Sequence, residues 1–340
     1  MPTLSDVAKR AGVSQSTVSR IVSGDISFST KDETRELVWQ AVNELGYVPS
    51  RKAGRNLQKH AENSAISIGS ILNITIEKLT DPSFLMVLHG LERRLPKYGA
   101  SLSFFKVANE IGSVLRTMPS VHLDGFITMH NISTEDLNIL RTHAANIVSI
   151  GGSNPDYDSV EYDYYEIGTM AAEYLLSLGH RRFGYVYGSE TEQIDTNQER
   201  ALVAFQYHVH KAGGELSEDL IKSVRNWKHS ACYHATIELM KRSPRPTAVF
   251  VASDLMAMTA ISAITHMGLR IPQDVSLMGI ANNEFTEYSN PPLTTIEVPF
   301  ADIGSVAADM LIERIQGLDA PPRRVLLPLK LKVRASCAGV

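Results

Sequence analysis

Residues 3–24, TLSDVAKRAGVSQSTVSRIVSG, carry a spacing of apolar and polar side chains that predicts two short helices joined by a tight turn. Thr3 is a helix-capping residue, and Asp6 three positions on completes a capping box. The first helix covers 4–11. Gly12 supplies the backbone freedom for the turn, and Ser14 caps a second helix that runs to about residue 22. Leu4, Val7, Ala8 and Ala11 share one face of the first helix, and Val13, Val18, Ile21 and Val22 can meet them from the turn and the second. Left outside on the second helix are Gln15, Ser16, Thr17, Ser19 and Arg20. Short polar side chains of this kind reach base edges and phosphates in a DNA major groove. Two ordinary amphipathic helices would share the spacing, but a third helix over 31–45 favours the nucleic-acid reading. Thr30 and Glu33 repeat the capping box, Leu37, Val38, Ala41, Val42 and Leu45 form its inner stripe, and Gly46 ends it.

These residues also carry a family resemblance. LSDVAKRAGVSQSTVSR followed by ETRELVWQAVNELGYVPS resembles the headpiece of the lactose/galactose repressor family of bacterial transcription factors. The resemblance implies that the second helix enters the major groove of operator DNA. Gln15 and Ser16, just after the GVS turn, would then discriminate sequence, while Thr17, Ser19 and Arg20 hold phosphates or reach a further base. Thr3, Leu4 and Ser14, at the two helix starts, complete the expected contact set. Residues 49–60, PSRKAGRNLQKH, are polar and basic with Leu57 as the one large apolar side chain, and by composition alone they read as a solvated linker. The family instead places here a hinge helix that forms in the dimer on DNA and wedges leucines into the minor groove. Ala53, Arg55 and Leu57 are the candidates, with Lys52 and Lys59 near phosphates. Leu57 follows Tyr47 by ten residues, one more than the family spacing, and Gly54 is a poor helix former, which moves the expected start of that helix later.

Charge is distributed to match. Residues 1–60 hold nine Lys or Arg against six Asp or Glu, a local +3, and the remainder 24 against 31, a local −7, summing to the net −4 of the 340-residue chain. A basic head on an acidic body suits a protein that touches DNA with one end. Two cysteines, Cys232 and Cys337, are too few and too isolated for a disulfide framework or a zinc site. No signal-peptide core or membrane-length apolar run is read, so a reduced, cytoplasmic protein is expected.

From Ser64 onward strands alternate with helices: strands over 66–72, 125–129, 147–150, 183–187, 248–251 and 275–280, and helices over 84–97, 134–144, 165–178, 195–212, 229–241, 254–267 and 300–315. That order predicts parallel sheets covered on both faces, and the length calls for two α/β lobes. YLLSLGHRRFGYV, PTAVFVASDLMAM, GLRIPQDVSLMGI and PPLTTIEVPFADIG resemble the family's sensor domain, which shares its fold with periplasmic sugar-binding proteins. The expected fold is thus an all-α helix-turn-helix headpiece (1–48), a hinge (49–61) and a two-lobed periplasmic-binding-protein-like α/β sensor with parallel sheets (62–340). The resemblance further assigns 62–160 and 292–320 to one lobe, and 161–291 with the C-terminal segment to the other.

Ligands of such sheets bind in the crevice at strand C-termini. Sugars are held by planar polar groups and by rings that cover the apolar face of the pyranose. Asp81 and Phe84 in LTDPSF, Arg200 in the second lobe, Trp227 in an isolated RNW loop, Asp254 at a strand-to-helix switch and Phe300 after a crossover are the candidates. Asp254 could equally be a cap, Arg200 a surface salt bridge and Phe300 core. Many family members follow the GLRIPQDVSLMG segment with an aromatic residue and two aspartates. Here the run is Ile280, Ala281, Asn282, Asn283, so the hydroxyl-gripping carboxylate is missing, and Asn282, which can both donate and accept, suits a different hydroxyl pattern. The similarity leans slightly toward members controlling galactoside use.

No nucleophile elbow, phosphate-cradling glycine loop or HExxH is present, and His208 with His210, or His229 with His234, lack metal-ligand geometry. No enzyme activity, cofactor or metal is expected. The expected function is that of a homodimeric repressor of a carbohydrate-utilisation operon, released from double-stranded operator DNA by a small sugar bound between the lobes. The alternatives are a transporter's solute-binding protein, or a regulator of the same family sensing a nucleobase, a phosphosugar or a protein co-regulator.

Overall fold

The computed structural model describes residues 3–22, 30, 32–45, 66–72, 78–107, 122–129, 132–152, 156–189 and 196–340. The chain divides into two compact units, Met1–Ser64 and Ala65–Val340. In the first, α1 (Leu4–Ala11), α2 (Gln15–Val22) and α3 (Asp32–Leu45) close around Val7, Ala8, Ala11, Val18, Ile21, Val38, Ala41 and Val42. Leu37, expected in that stripe, is 52% exposed; its neighbour Val38 takes the inward position, one residue further round the helix. The second capping box, at Thr30 and Glu33, the end of α3 at Gly46 and the hinge residues Ala53, Arg55 and Leu57 fall outside the residues or side chains described.

The second unit holds two six-stranded sheets. The first lobe contributes β1 (Ile66–Leu72), β2 (Ala100–Val107), β3 (Gly125–Met129), β4 (Asn146–Ile150), β5 (Asp158–Glu161) and β11 (Arg324–Leu326), in the order β11-β5-β4-β3-β1-β2. All its pairings are parallel. The second lobe contributes β6 (Phe183–Ser189), β7 (Ile221–Arg225), β8 (Ala248–Val251), β9 (Ser276–Ala281), β10 (Thr294–Glu297) and β12 (Lys330–Lys332), ordered β12-β10-β9-β8-β6-β7. Only its β10–β12 pair is antiparallel. Helices α4 (Pro82–Arg94), α5 (Thr134–His143), α6 (Tyr164–Ser177), α7 (Thr196–Lys211), α8 (His229–Met240), α9 (Asp254–His266) and α10 (Phe300–Ile315) cover the faces. The central strands β3, β4 and β8 are buried almost throughout, as strands sandwiched between helix layers must be.

Two expected assignments are corrected: residues 324–326, expected in the second lobe with the C-terminal segment, form β11 and pair in parallel with β5 of the first lobe. Residues 294–297 lie in the second lobe, because β10 pairs in parallel register with β9, Thr294 opposite Met278. The chain therefore crosses between lobes after β5, after β10 and after β11. A buried ion pair anchors the last helix of the first lobe: Arg314 donates from Nε and Nη2 to Asp158 at 3.0 and 2.8 Å. The Arg323 backbone amide adds a third bond at 2.7 Å. Burial pushes the Asp158 carboxyl up, but these donors outweigh it and hold it below the usual carboxylate value.

Candidate DNA-reading surface and interlobe ligand cleft

The headpiece forms its reading helix by local chemistry. Thr3 Oγ1 accepts from the Asp6 amide, and Asp6 Oδ2 accepts from the Thr3 amide at 2.8 Å, so both ends of the capping box are closed. Gly12 ends α1 in the left-handed region at φ 68°. Ser14 Oγ accepts from the Thr17 amide at 3.1 Å and lies 2.7 Å from Ser16 Oγ, capping α2. Val18 and Ile21 point into the core, and that fixes which side faces out: Gln15, Ser16, Ser19 and Arg20 are exposed and Thr17 is half-buried. Leu4 is half-buried and packs against the headpiece core. The hydroxyl of Thr3 is already engaged with Asp6.

In the second unit a cleft of ≈ 1030 Å³, open to solvent, lies where the C-terminal ends of both sheets converge. Met129 and Ile150 close β3 and β4 on one side; Ala252, Ser253, Ile280 and Ala281 follow or end β8 and β9 on the other. Rings dominate the walls: Phe84, Tyr162, Tyr164, Trp227 and Phe300. Tyr162 and Phe300 meet edge to face with centroids 5.9 Å apart, and the Tyr162 and Tyr164 hydroxyls lie 2.7 Å from each other. Trp227 sits in a left-handed turn with Asn226, at φ 54° and 53°. Its indole lies against Gly188, where an added Cβ would stand 2.2 Å from the ring. Asp81 caps α4, with Oδ1 accepting the Ser83 amide at 2.9 Å and its hydroxyl at 2.6 Å. His229, the first residue of α8, has Nδ1 3.3 Å from the Thr259 hydroxyl. Among the described lining residues there is no lysine or arginine.

The structure thus brings Asp81, Phe84, Trp227 and Phe300 to one cleft and leaves Arg200, Asp254 and Asn282 out of its lining. Arg200 is paired with Asp163, the cap of α6, at 3.0 Å. Among the described side chains of α7 the one that lines the cleft is Gln198, two positions away and so about 200° round the helix. Asp254 is fully buried. Its carboxylate accepts from the Asn283 amide at 2.9 Å and the Thr295 hydroxyl at 2.6 Å, while Ser253 caps the helix. Burial, with the charge of Asp81 adding to it, raises the Asp254 pKa to about 6. Asn282 is drawn the other way: Arg334 donates to its Oδ1 at 2.7 Å, and its Nδ2 donates to Glu297 at 3.2 Å. Sequence reasoning passed over Tyr162, Tyr164, Gln198 and His229. The tyrosines in EYDYYEIG, just after a strand, were the readable signal.

Residues 3–50 match the profile of the bacterial regulatory proteins of the lacI family, and residues 172–337 that of a periplasmic binding protein-like domain. The HTH-type transcriptional repressor PurR of Edwardsiella ictaluri is 32% identical over 353 residues, covering 99% of this chain and 97% of that protein. The chain belongs to the lacI family. It is accordingly a DNA-binding transcriptional repressor with a small-molecule effector, and not an enzyme. The Escherichia coli PurR repressors are also 32% identical, over 346 residues and 97% of their length. Among solved structures, a transcriptional regulator CelR–cellobiose complex matches at 28% identity and TM-score 0.70 over 99% of this chain and 100% of that one. The lac repressor dimer bound to operator and the anti-inducer ONPF shares the fold, at 24% identity and TM-score 0.69 over 99% of both chains. These lacI-family relatives include repressors under the PurR name, and they lend the lean toward galactoside regulators no support. Among the described residues no helix is long and apolar enough to cross a membrane.

Proposed function

We propose that this lacI-family repressor is a cytoplasmic homodimer that leaves its operator when a small carbohydrate fills the interlobe cleft. The observation that carries this reading is the wall of five rings set among a few polar groups at the converging strand ends. Rings cover the apolar faces of a pyranose, and hydroxyls, amide and carboxylate meet its edges. The related CelR complex holds cellobiose, which agrees. A phosphosugar fits poorly, because no lysine or arginine lines the described cleft to meet a phosphate. The second reading, a nucleobase, is favoured by the same flat rings, which would also sandwich a heterocycle.

The division of labour follows the sequence: 1–48 reads DNA, 49–61 links with Ala53, Arg55 and Leu57 in the minor groove, and 62–340 senses and dimerises. One α2 offers only a half-site's contacts, so two headpieces on a pseudo-palindrome supply specificity. Tyr162 and Phe300 lie in the segments joining the lobes, so a ligand against them biases the lobe angle and with it the separation of the two linkers. Moving an operator from nearly full to nearly empty requires roughly 5 kcal/mol of preference for the released state.

A mobility-shift titration on promoter fragments, with thermal shift against galactosides, glucosides, pentoses and purines, tests this. Gln15→Ala and Arg20→Ala are expected to weaken operator binding about tenfold or more and to leave ligand-induced stabilisation unchanged. Wild-type operator affinity in both variants would remove α2 from its assigned role. Stabilisation by purines alone would replace the carbohydrate.

A further inference from the structure

The cleft offers a carboxylate, hydroxyls and ring faces, and among the described lining residues His229 is the one side chain able to carry positive charge, an imbalance that narrows its ligand. Asp81 is fixed in orientation by two bonds from Ser83 to Oδ1, and its carboxylate borders the cleft. Across the opening, Gln198 Oε1 is shielded from solvent and accepts no hydrogen bond among the described residues. A shielded acceptor without a donor is costly unless the bound ligand supplies one. Phe84, Trp227 and Phe300 add π faces, which attract cations. Burial is the main cause that raises the Asp254 pKa, and the charge of Asp81 adds a smaller push in the same direction. Arg334, which opposes that effect on Asp254, spends its donors on Asn282, Thr286 and the Leu293 carbonyl and does not line the cleft.

We propose that the cleft selects a carbohydrate bearing a protonated amine, its ammonium paired with Asp81 and a second N–H or O–H donated to Gln198 Oε1. This rests on the carbohydrate reading above and sharpens it. A neutral sugar leaves the carboxylate without a countercharge in a ring-lined site. An N-acetylated sugar removes the charge, and a phosphorylated one adds charge of the wrong sign.

The test is isothermal titration of the full-length protein at pH 7 with D-glucosamine, D-galactosamine and the β1,4-linked glucosamine disaccharide. Glucose, galactose, the N-acetylated forms and hypoxanthine serve as comparators. An amino sugar is expected to bind at least about tenfold tighter than its neutral parent and its N-acetyl form, as a charge-assisted hydrogen bond provides. Asp81→Asn keeps the helix cap, because asparagine caps as well as aspartate, and is expected to bring amino and neutral sugars within about twofold. Gln198→Leu is expected to weaken the amino sugar without lowering the melting temperature of the unliganded protein, since it removes an acceptor that has no donor there. Equal affinity for amino and neutral sugars, or a tenfold preference that survives Asp81→Asn, overturns the proposal while leaving the carbohydrate reading in place. Binding of hypoxanthine with no sugar bound overturns both.

Discussion

Asp254 gives this repressor a stability term with an unusual pH dependence. Burial raises its pKa to about 6 from the ordinary 3.8, so between those values the folded protein holds a proton that the unfolded chain has released. Folding therefore takes up a proton in this window, and the contribution is present at low pH and lost as pH rises through 6. The two values imply a swing of about 2 kcal/mol between pH 4.5 and 7.5. Asp158 and Asp274 lie below their ordinary value and act in the opposite sense, so the wild-type curve alone mixes the effects. The difference between wild type and Asp254→Asn isolates one. Asparagine retains an oxygen for the Thr295 hydroxyl and cannot titrate. The chain has two tryptophans, so in a Trp39→Phe background Trp227 fluorescence reports urea unfolding of the sensor unit. Expected is a wild-type stability that falls by about 2 kcal/mol relative to Asp254→Asn from pH 4.5 to 7.5. Parallel curves for the two proteins across that range would refute the buried, proton-holding carboxylate.

Gly188→Ala is expected to displace the Trp227 indole by more than about 1 Å, since carbon atoms settle near 3.5–4 Å apart and the new Cβ would start at 2.2 Å. Ligand affinity should drop about three- to tenfold by titration calorimetry with ligand-free operator binding unchanged; an unaltered ligand affinity denies Trp227 its place in the site. Asp158→Asn leaves Arg314 and Arg323 facing a neutral group in a position that is fully buried on the aspartate side. Breaking such a pair costs about 3–5 kcal/mol, so the urea midpoint of the sensor unit should fall clearly, and a change below about 1 kcal/mol would contradict the anchoring role.

The headpiece was almost fully legible because its signals are local. Thr3 with Asp6, Gly12 and Ser14 dictate caps and turn within a few residues, and the outward polar face follows from the helical period. The helices of the sensor agree with expectation to within a residue or two for the same reason, except α4, expected to end at 97 and ending at Arg94. Six strands escape the sequence reading: β2 (ASLSFFKV), although it is rich in apolar residues, and β5, β7, β10, β11 and β12, which are short or polar. DSVE (β5), IKSVR (β7) and TTIE (β10) are polar or threonine-rich, and their pairing is decided by neighbours far along the chain. Arg200 shows a different limit: the sequence points to the helix that borders the cleft but does not say which of its faces turns inward, and here Arg200 meets Asp163 while Gln198 lines the cleft.

Polar groups at strand ends make Asp254 and Asn282 read as ligand hooks, and the structure engages both side chains within the protein. In this chain they serve as ties. Asp254 joins the start of α9 to the Asn283 amide and the Thr295 hydroxyl, and Asn282 is gripped by Arg334 and Glu297, so the segments around β9, β10 and β12 are held to one another. With those groups committed, the crossing segments present rings instead: Tyr162 between β5 and α6, and Phe300 where β10 leads into α10. A ligand stacked there bears on the very peptides that connect the lobes. Coupling between the cleft and the lobe angle then needs no long relay of packed side chains, only a change in how those two short connections are braced.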